Sequence, residues 1–265
     1  MRLKYIFIIF FIFCLAGCAS TPEHVDPVSL SAIQNLSAND VPSSSAASGK
    51  LRAGALVDTA LTFGAQSGLS WRSAQINVDL KKRAYYLRNI FNFGALMLDH
   101  GVQPPVLVTA NKTMKYGGPD TIRVSDKTYQ IVQPAQFVTA PSTWRLYLWM
   151  NYPKPDLPDK TLLPRDRAEQ DAWRKYVTIG WYNGIRQADN IFSANMARMK
   201  RDYNGMVLYR KLLALHMISK PYVAKTDLGV TGDGNSMHIN DQVLRITAAS
   251  QLQTNSKEWK PLLVP

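Results

Sequence analysis

The sequence predicts an α+β domain in which helical segments, including a long helical region over about 164–217, pack with short antiparallel strands. Three observations lead there. Ile76, Leu80, Ala84, Leu87 and Phe91 recur at steps of four, four, three and four, which places them on one face of a helix. Trp173, Val177 and Trp181 repeat the four-residue step in a second helical stretch. Between them, β-favouring Ile122, Val124, Tyr129 and Ile131 follow the turn signal Gly117-Gly118-Pro119.

Taken from the beginning, Arg2 and Lys4 precede an apolar run over residues 5–15 that ends in Leu15-Ala16-Gly17-Cys18. A basic start, an apolar middle and small residues at the end form an export signal. The run has eleven residues, whereas a membrane-spanning helix needs roughly 20. Small Ala16 and Gly17 let a peptidase reach the bond before a cysteine that carries diacylglycerol. Residues 1–17 are therefore expected to be a lipoprotein signal peptide, with Cys18 the lipid-attachment residue. Several acyl chains hold a protein essentially permanently, at about 0.8 kcal/mol per buried methylene. Ala19 stands where an Asp would favour retention at the inner membrane, so the expected location is the outer membrane, facing the periplasm.

Cys14 and Cys18 are the only cysteines, so the mature domain has no thiol with which to build a disulfide framework, and its stability must come from an apolar core. The formal charge is +12, and +10 once Arg2 and Lys4 are removed. Partners with negative surfaces are favoured, among them anionic headgroups, peptidoglycan, acidic proteins and nucleic acid.

Residues 18–50 are rich in Ser, Ala, Pro and Asn and read as a lipidated flexible tether. As a coil it would span roughly 30 Å. Val25, Val28, Leu30, Ile33 and Leu36 give it a weak apolar scatter suited to a strap on a partner. The α+β domain is expected over 51–265. A helix with small residues over 51–71 precedes the amphipathic helix of residues 76–91. Strands follow at 106–108 and 121–132, then a short helix over 143–150 and a proline-punctuated loop over 152–164. The longest helical signal starts at about Pro164, with Asp166 and Glu169 near the positive end of its dipole. Asn204-Gly205 marks the expected break into two helices. After His216 come strands at 222–230, 237–239 and 243–247, with Gly232-Asp233-Gly234-Asn235 as a hairpin turn.

Catalytic patterns are sparse. Gly64-Ala65-Gln66-Ser67-Gly68 places its serine one position off the nucleophile-elbow spacing. Gly49-Lys50-Leu51 lacks the Ser or Thr of a phosphate loop. His24, His100, His216 and His238 are scattered without metal-ligand spacing, and Asp227, Asp233, Asn235 and Asp241 do not follow the order of a calcium loop. A cell-wall-cleaving acid would have to be Glu169, beside Asp171, since the other glutamates are Glu23 and Glu258. Arg198, Lys200, Arg201, Arg210 and Lys211, interleaved with Tyr203 and Tyr209, suit either acidic protein or single-stranded nucleic acid. No catalytic, cofactor-binding or metal-binding residue is assigned, no cofactor is expected, and the six tryptophans and twelve tyrosines point to interaction surfaces instead.

The segments Gly64-Ala-Gln-Ser-Gly-Leu-Ser-Trp-Arg-Ser-Ala-Gln-Ile76, Gly180-Trp-Tyr-Asn-Gly-Ile-Arg-Gln-Ala-Asp-Asn-Ile-Phe192 and Leu228-Gly-Val-Thr-Gly-Asp-Gly-Asn235 resemble the DotC family, also called TraI in IncI conjugative plasmids. The likeness runs from about Leu51 onward. It implies a non-enzymatic lipoprotein of the core complex of a type IVB (Dot/Icm) secretion or conjugation system. Such a subunit would act with a DotD-like lipoprotein to bring a DotH-like subunit to the outer membrane, around a channel with DotG-like and DotF-like components. The resemblance further implies an oligomeric ring assembly, a role in protein transport and no direct nucleic-acid binding. Only Cys18 carries over as a site residue. A periplasmic cell-wall enzyme resting on Glu169, or a nucleic-acid- or cargo-contacting module using the basic helix, are the alternative classes.

Overall fold

The computed structural model describes residues 29–38 and 49–260. Two long helices dominate it, α2 (Gly49–Lys82) and α5 (Arg167–Ala214), with the short α1 (Leu30–Gln34) laid against both. Two further helices, α3 (Ala84–Ile90) and α4 (Trp144–Leu148), lie between the long ones in sequence. The strands are β1 (Val102–Gln103), β2 (Val106–Gly118), β3 (Thr121–Gln133), β4 (Gln136–Phe137), β5 (Tyr222–Gly232) and β6 (Met237–Ala248). Among the described residues they form three separate antiparallel pairs: β1 with β4, β2 with β3, and β5 with β6. This is the α+β architecture expected from the sequence. No helix among the described residues is long and apolar enough to cross a membrane.

Glycines set the approach of α2 and α5. Gly64 and Gly68 face the backbone of Val177 and Trp181, while Gly180 and Gly184 face that of Leu61, Ala65 and Leu69. A Cβ at any of the four would collide with a carbonyl oxygen of the facing helix. Rising residue numbers on α2 meet rising numbers on α5, so the two helices run parallel. Arg52 pairs with Glu169 and Arg72 with Asp189, both across the same offset of 117 residues, which pins one register at two points. A parallel pair needs a long return connection, and α3, β1 to β4 and α4 occupy it.

The expected break at Asn204-Gly205 does not occur, because α5 continues unbroken for 48 residues. Gly205 instead admits the root of β2: a Cβ there would lie 2.6 Å from Leu107 O and 2.5 Å from Val106 Cγ1. The helix starts at Arg167 rather than Pro164, since the Asp166 carboxylate accepts the Glu169 N–H at 2.8 Å and caps the first turn. The two helices expected over 51–71 and 76–91 are joined, with the only interruption at Arg83. Segments 237–239 and 243–247 fuse into β6, β2 runs on to 13 residues from the expected 106–108, and β3 covers the expected 121–132 with one residue more.

Part of the expected tether is a docked strap. Ile33 is buried beside Phe63, Trp173 and Val177. Trp173 Nε1 donates to Ile33 O at 2.9 Å, Gln170 Nε2 to Gln34 O at 2.8 Å, and Ala38 N to Pro164 O at 3.0 Å. Of the apolar scatter, Leu30, Ile33 and Leu36 thus pack on the chain's own helices, and Val25 and Val28 lie outside the described residues. Two other clusters complete the core. Ile76, Leu80, Phe93, Trp144, Leu148, Met199 and Met206 join the far ends of the long helices to α4, and Leu107, Tyr209, Leu212 and Ile218 sit at the strand roots. Each fully buried aliphatic side chain of this kind contributes about 1.5–3 kcal/mol.

Candidate functional site

A buried polar node joins α4 to α5. The Tyr147 hydroxyl donates to Asp202 Oδ2 at 3.2 Å, Arg201 Nε donates to Asp202 Oδ1 at 2.9 Å, and the Arg198 guanidinium lies 5.4 Å from the Tyr147 ring centre. Phe93 stacks on the same ring at 5.6 Å, and Tyr203 meets Phe91 and Phe93 edge-on. Burial, reinforced by the Asp202 charge and hydrogen bond, pushes the Tyr147 pKa up to about 12. The phenol therefore stays protonated and serves as a donor that braces the node.

The carboxylate proposed for cell-wall chemistry sits in a different setting. Arg52 grips Glu169 with two hydrogen bonds, Nε to Oε1 at 2.8 Å and an Nη to Oε2 at 3.0 Å, and also donates to Leu163 O. The Arg165 N–H adds a further bond to Oε2 at 2.9 Å. The bond from Arg52 holds the Glu169 carboxyl below its ordinary range, against the opposing effect of burial. A glycosidase acid needs the opposite shift. Asp171 is exposed. Ser67 lies buried within α2, and no base reaches its hydroxyl among the described residues.

Exposed apolar residues gather on two ribbons. Met114 pairs across from Val124 and Tyr116 from Ile122 in β2–β3; Val230 pairs with Ile239 in β5–β6, with Met237 two residues along. Each of these seven side chains is more than half exposed. The sequence profile of a family described as type IV secretory system, conjugal DNA-protein transfer, matches residues 50–261. The chain belongs to this TraI-type family. It thus takes part in a type IV secretion or conjugation system. No curated protein matches the chain significantly.

The span shared with the TraI-type family contains both long helices and both ribbons. Within it, the basic group of α5 is dispersed. Arg201 is spent on Asp202, Arg198 on Tyr147, and Arg210 on the carbonyls of Leu96 and Met97, at 3.2 and 2.5 Å. Tyr203 and Tyr209 face the core, while Arg198, Lys200, Arg201 and Lys211 are exposed. The residues of the glycine-rich turn do not converge either. Asp233 accepts the N–H groups of Asn235 and Ser236, Asp227 pairs with Lys225, and Asp241 accepts the Thr231 hydroxyl. Among the described residues no three His, Cys, Asp or Glu groups converge as a metal site, and His100, His216 and His238 are exposed. Cys18 and His24 lie outside the described residues.

Sequence reasoning missed the Tyr147–Asp202 node and the Arg52–Glu169 clamp. One signal was present for the node: Met199, Asp202, Met206 and Tyr209 share one helix face by their spacing, so Asp202 is an acid on an otherwise apolar stripe. Nothing local marks Arg52 as the partner of a residue 117 positions away.

Proposed function

We propose that this chain is an outer-membrane lipoprotein of a type IVB secretion or conjugation core complex. In this reading it is a non-enzymatic scaffold that acts with a DotD-like lipoprotein to place and assemble a DotH-like channel subunit. It would sit in an oligomeric ring beside DotG-like and DotF-like components, without contacting nucleic acid directly. The observation that carries the reading is the sequence Leu15-Ala16-Gly17-Cys18, with its apolar run, ahead of a domain of the secretion family. Acyl chains on Cys18 would hold the body at the leaflet. The packing of α2 on α5 supports a mechanical role, because close backbone contact and two ion pairs in one register leave little freedom to slide.

Cys18→Ser tests this. The variant is expected to fold, to leave the outer-membrane fraction, and to lose recovery of the DotH-like and DotD-like subunits in a pull-down. A membrane pool and partner recovery equal to wild type would overturn the reading.

A further inference from the structure

A cleft beside the Tyr147–Asp202 node carries positive charge that no described residue neutralises. It encloses about 440 Å³ between the end of α3 and the loop that leads into α4. Phe91 and Pro141 supply apolar wall, over Phe93 and Trp144 of the core. Arg88 comes from the α3 side and Arg145 from the α4 side. The walls are held before any ligand arrives: Phe93 stacks on Tyr147 at 5.6 Å, Tyr147 is bonded to Asp202, and the Ser142 hydroxyl donates to Gln103 Oε1 at 3.0 Å. A preformed site loses less freedom on binding than one that has to be ordered.

The polar side chains at the rim are donors. Arg88 and Arg145 have no carboxylate partner among the described residues, and Arg145 lies over the Trp144 ring, 4.7 Å from its centre. Asn92 Oδ1 already accepts the Ala95 N–H at 3.2 Å, which leaves its amide nitrogen to donate. The exposed Thr143 hydroxyl does not cap α4.

The sequence of the two walls sharpens the imbalance. Neither the span from Leu80 to Leu98 nor that from Lys127 to Pro155 contains an aspartate or glutamate, while Lys81, Lys82, Arg83, Arg88 and Arg145 fall within them. The neighbouring acids are committed elsewhere, Asp79 to Lys82 and Asp202 to Arg201. Unopposed guanidinium groups favour carboxylates, each of which they can bind with two parallel hydrogen bonds.

The cleft itself selects among anions. Single-stranded nucleic acid needs open ring faces on which to stack its bases. Phe93 and Trp144 are 2% and 3% exposed and offer none. Free phosphate would leave the apolar wall uncovered. Anionic lipid has a charged and an apolar part, but from Arg52 to Lys82 α2 rises about 45 Å at 1.5 Å per residue. With the anchor at the strap end of that helix, the cleft stands away from the leaflet and toward protein.

We infer that the cleft binds an acidic segment of a partner protein, with an apolar side chain resting on Phe91 and Pro141 and carboxylates to either side on Arg88 and Arg145. The choice of protein over lipid rests on the scaffold reading. The cleft, its charge and its donors do not.

The test uses the full chain in mild detergent and a rhodamine-labelled peptide, Glu-Asp-Phe-Asp-Glu, with binding read by fluorescence anisotropy. Two comparison peptides, Gln-Asn-Phe-Asn-Gln and Glu-Asp-Gly-Asp-Glu, each lack one half of the recognised chemistry and should bind about tenfold more weakly. Arg88→Gln and Arg145→Gln should each weaken the acidic peptide about tenfold, as loss of a charge-assisted contact implies. Arg88 is exposed, so its variant carries the test if losing the Arg145 contact with Trp144 disturbs folding, which circular dichroism reports. Lys175→Gln, an exposed cation near the other end of α5, should bind as wild type does.

A wild type that does not bind the acidic peptide, that binds all three peptides alike, or whose affinity survives Arg88→Gln overturns the inference. So does displacement of the peptide at equal concentration by inorganic phosphate, which would leave a simple anion site, by dioctanoyl phosphatidylglycerol, which would assign the cleft to lipid, or by oligothymidine, which would assign it to nucleic acid. A chain that fails to bind the peptide yet passes the Cys18 fractionation and pull-down test sinks this inference and leaves the scaffold reading in place. A chain that binds it as described while Cys18→Ser keeps its membrane pool and partners does the reverse.

Discussion

Gly184→Ala adds one methyl group where α5 touches α2. In an exposed helix the same change adds about 1 kcal/mol of stability, because alanine loses less backbone freedom on folding. At Gly184 the new carbon would lie 2.7 Å from Leu69 N and 2.9 Å from Ala65 C, and closer still to Ala65 O, whereas ordinary contact begins at 3.4 Å. The obstacle is backbone, so no side chain can swing aside. The helices must separate instead, and overpacking of this kind costs about 1–3 kcal/mol. Taking the upper end, because the obstacle is rigid, and subtracting the propensity gain leaves a net loss of about 2 kcal/mol. For a domain of this size that lowers Tm by roughly 4–8 °C. Gly54→Ala is the internal control: it lies on α2 with nothing within 4 Å of its Cβ position, and should gain about 0.5–1 kcal/mol. Paired urea and thermal melts measure both. A Gly184→Ala protein as stable as wild type would mean that the helices do not touch there, and the parallel register would fall with it.

Glu169→Gln should flatten the acid limb of stability. The folded-state carboxyl is held below its ordinary value of 4.5, so its contribution is complete above that value and is lost as pH falls through the folded-state pKa. Melts across that interval should show a steeper decline in wild type than in Glu169→Gln, and parallel curves would refute the pairing with Arg52. Trp173→Phe removes the donor to Ile33 O and should cost about 1 kcal/mol. It should also speed protease cleavage of the strap, and an unchanged cleavage rate would show that the indole bond does not hold it.

What the sequence made legible was periodic. Ile76, Leu80 and Leu87 face the core as their spacing requires, and Trp173, Val177 and Trp181 line the other long helix. Turn chemistry at Gly117-Gly118 and Gly232-Asp233 placed both ribbons. Glycine misled, because its two uses look alike in a sequence. At Asn204-Gly205 it reads as a helix stop, yet here it makes room for the backbone of Leu107. The strap was ambiguous for a related reason: Leu30, Ile33 and Leu36 show an apolar face without naming what covers it. Long-range pairings such as Arg52 with Glu169 leave no local mark, so no reading of neighbouring residues reaches them.

The parallel register has a consequence for geometry. Because α2 and α5 point the same way, the strap, Arg52 and Glu169 lie at their shared N-terminal end. Gly205, against which β2 is rooted, and Ala214, after which the chain leads to β5, lie toward the other end. Along α5 the 36 residues from Glu169 to Gly205 cover about 54 Å at a rise of 1.5 Å per residue. On the proposed reading, the anchor precedes the strap in sequence and the apolar ribbons leave from the far end, so the helix pair acts as a strut between the anchored end and the ribbons. A strut of this length turns a small change in packing near its middle into a large displacement at its tip. On this geometry Gly64, Gly68, Gly180 and Gly184, which set the approach of the two helices, also govern where the ribbons stand.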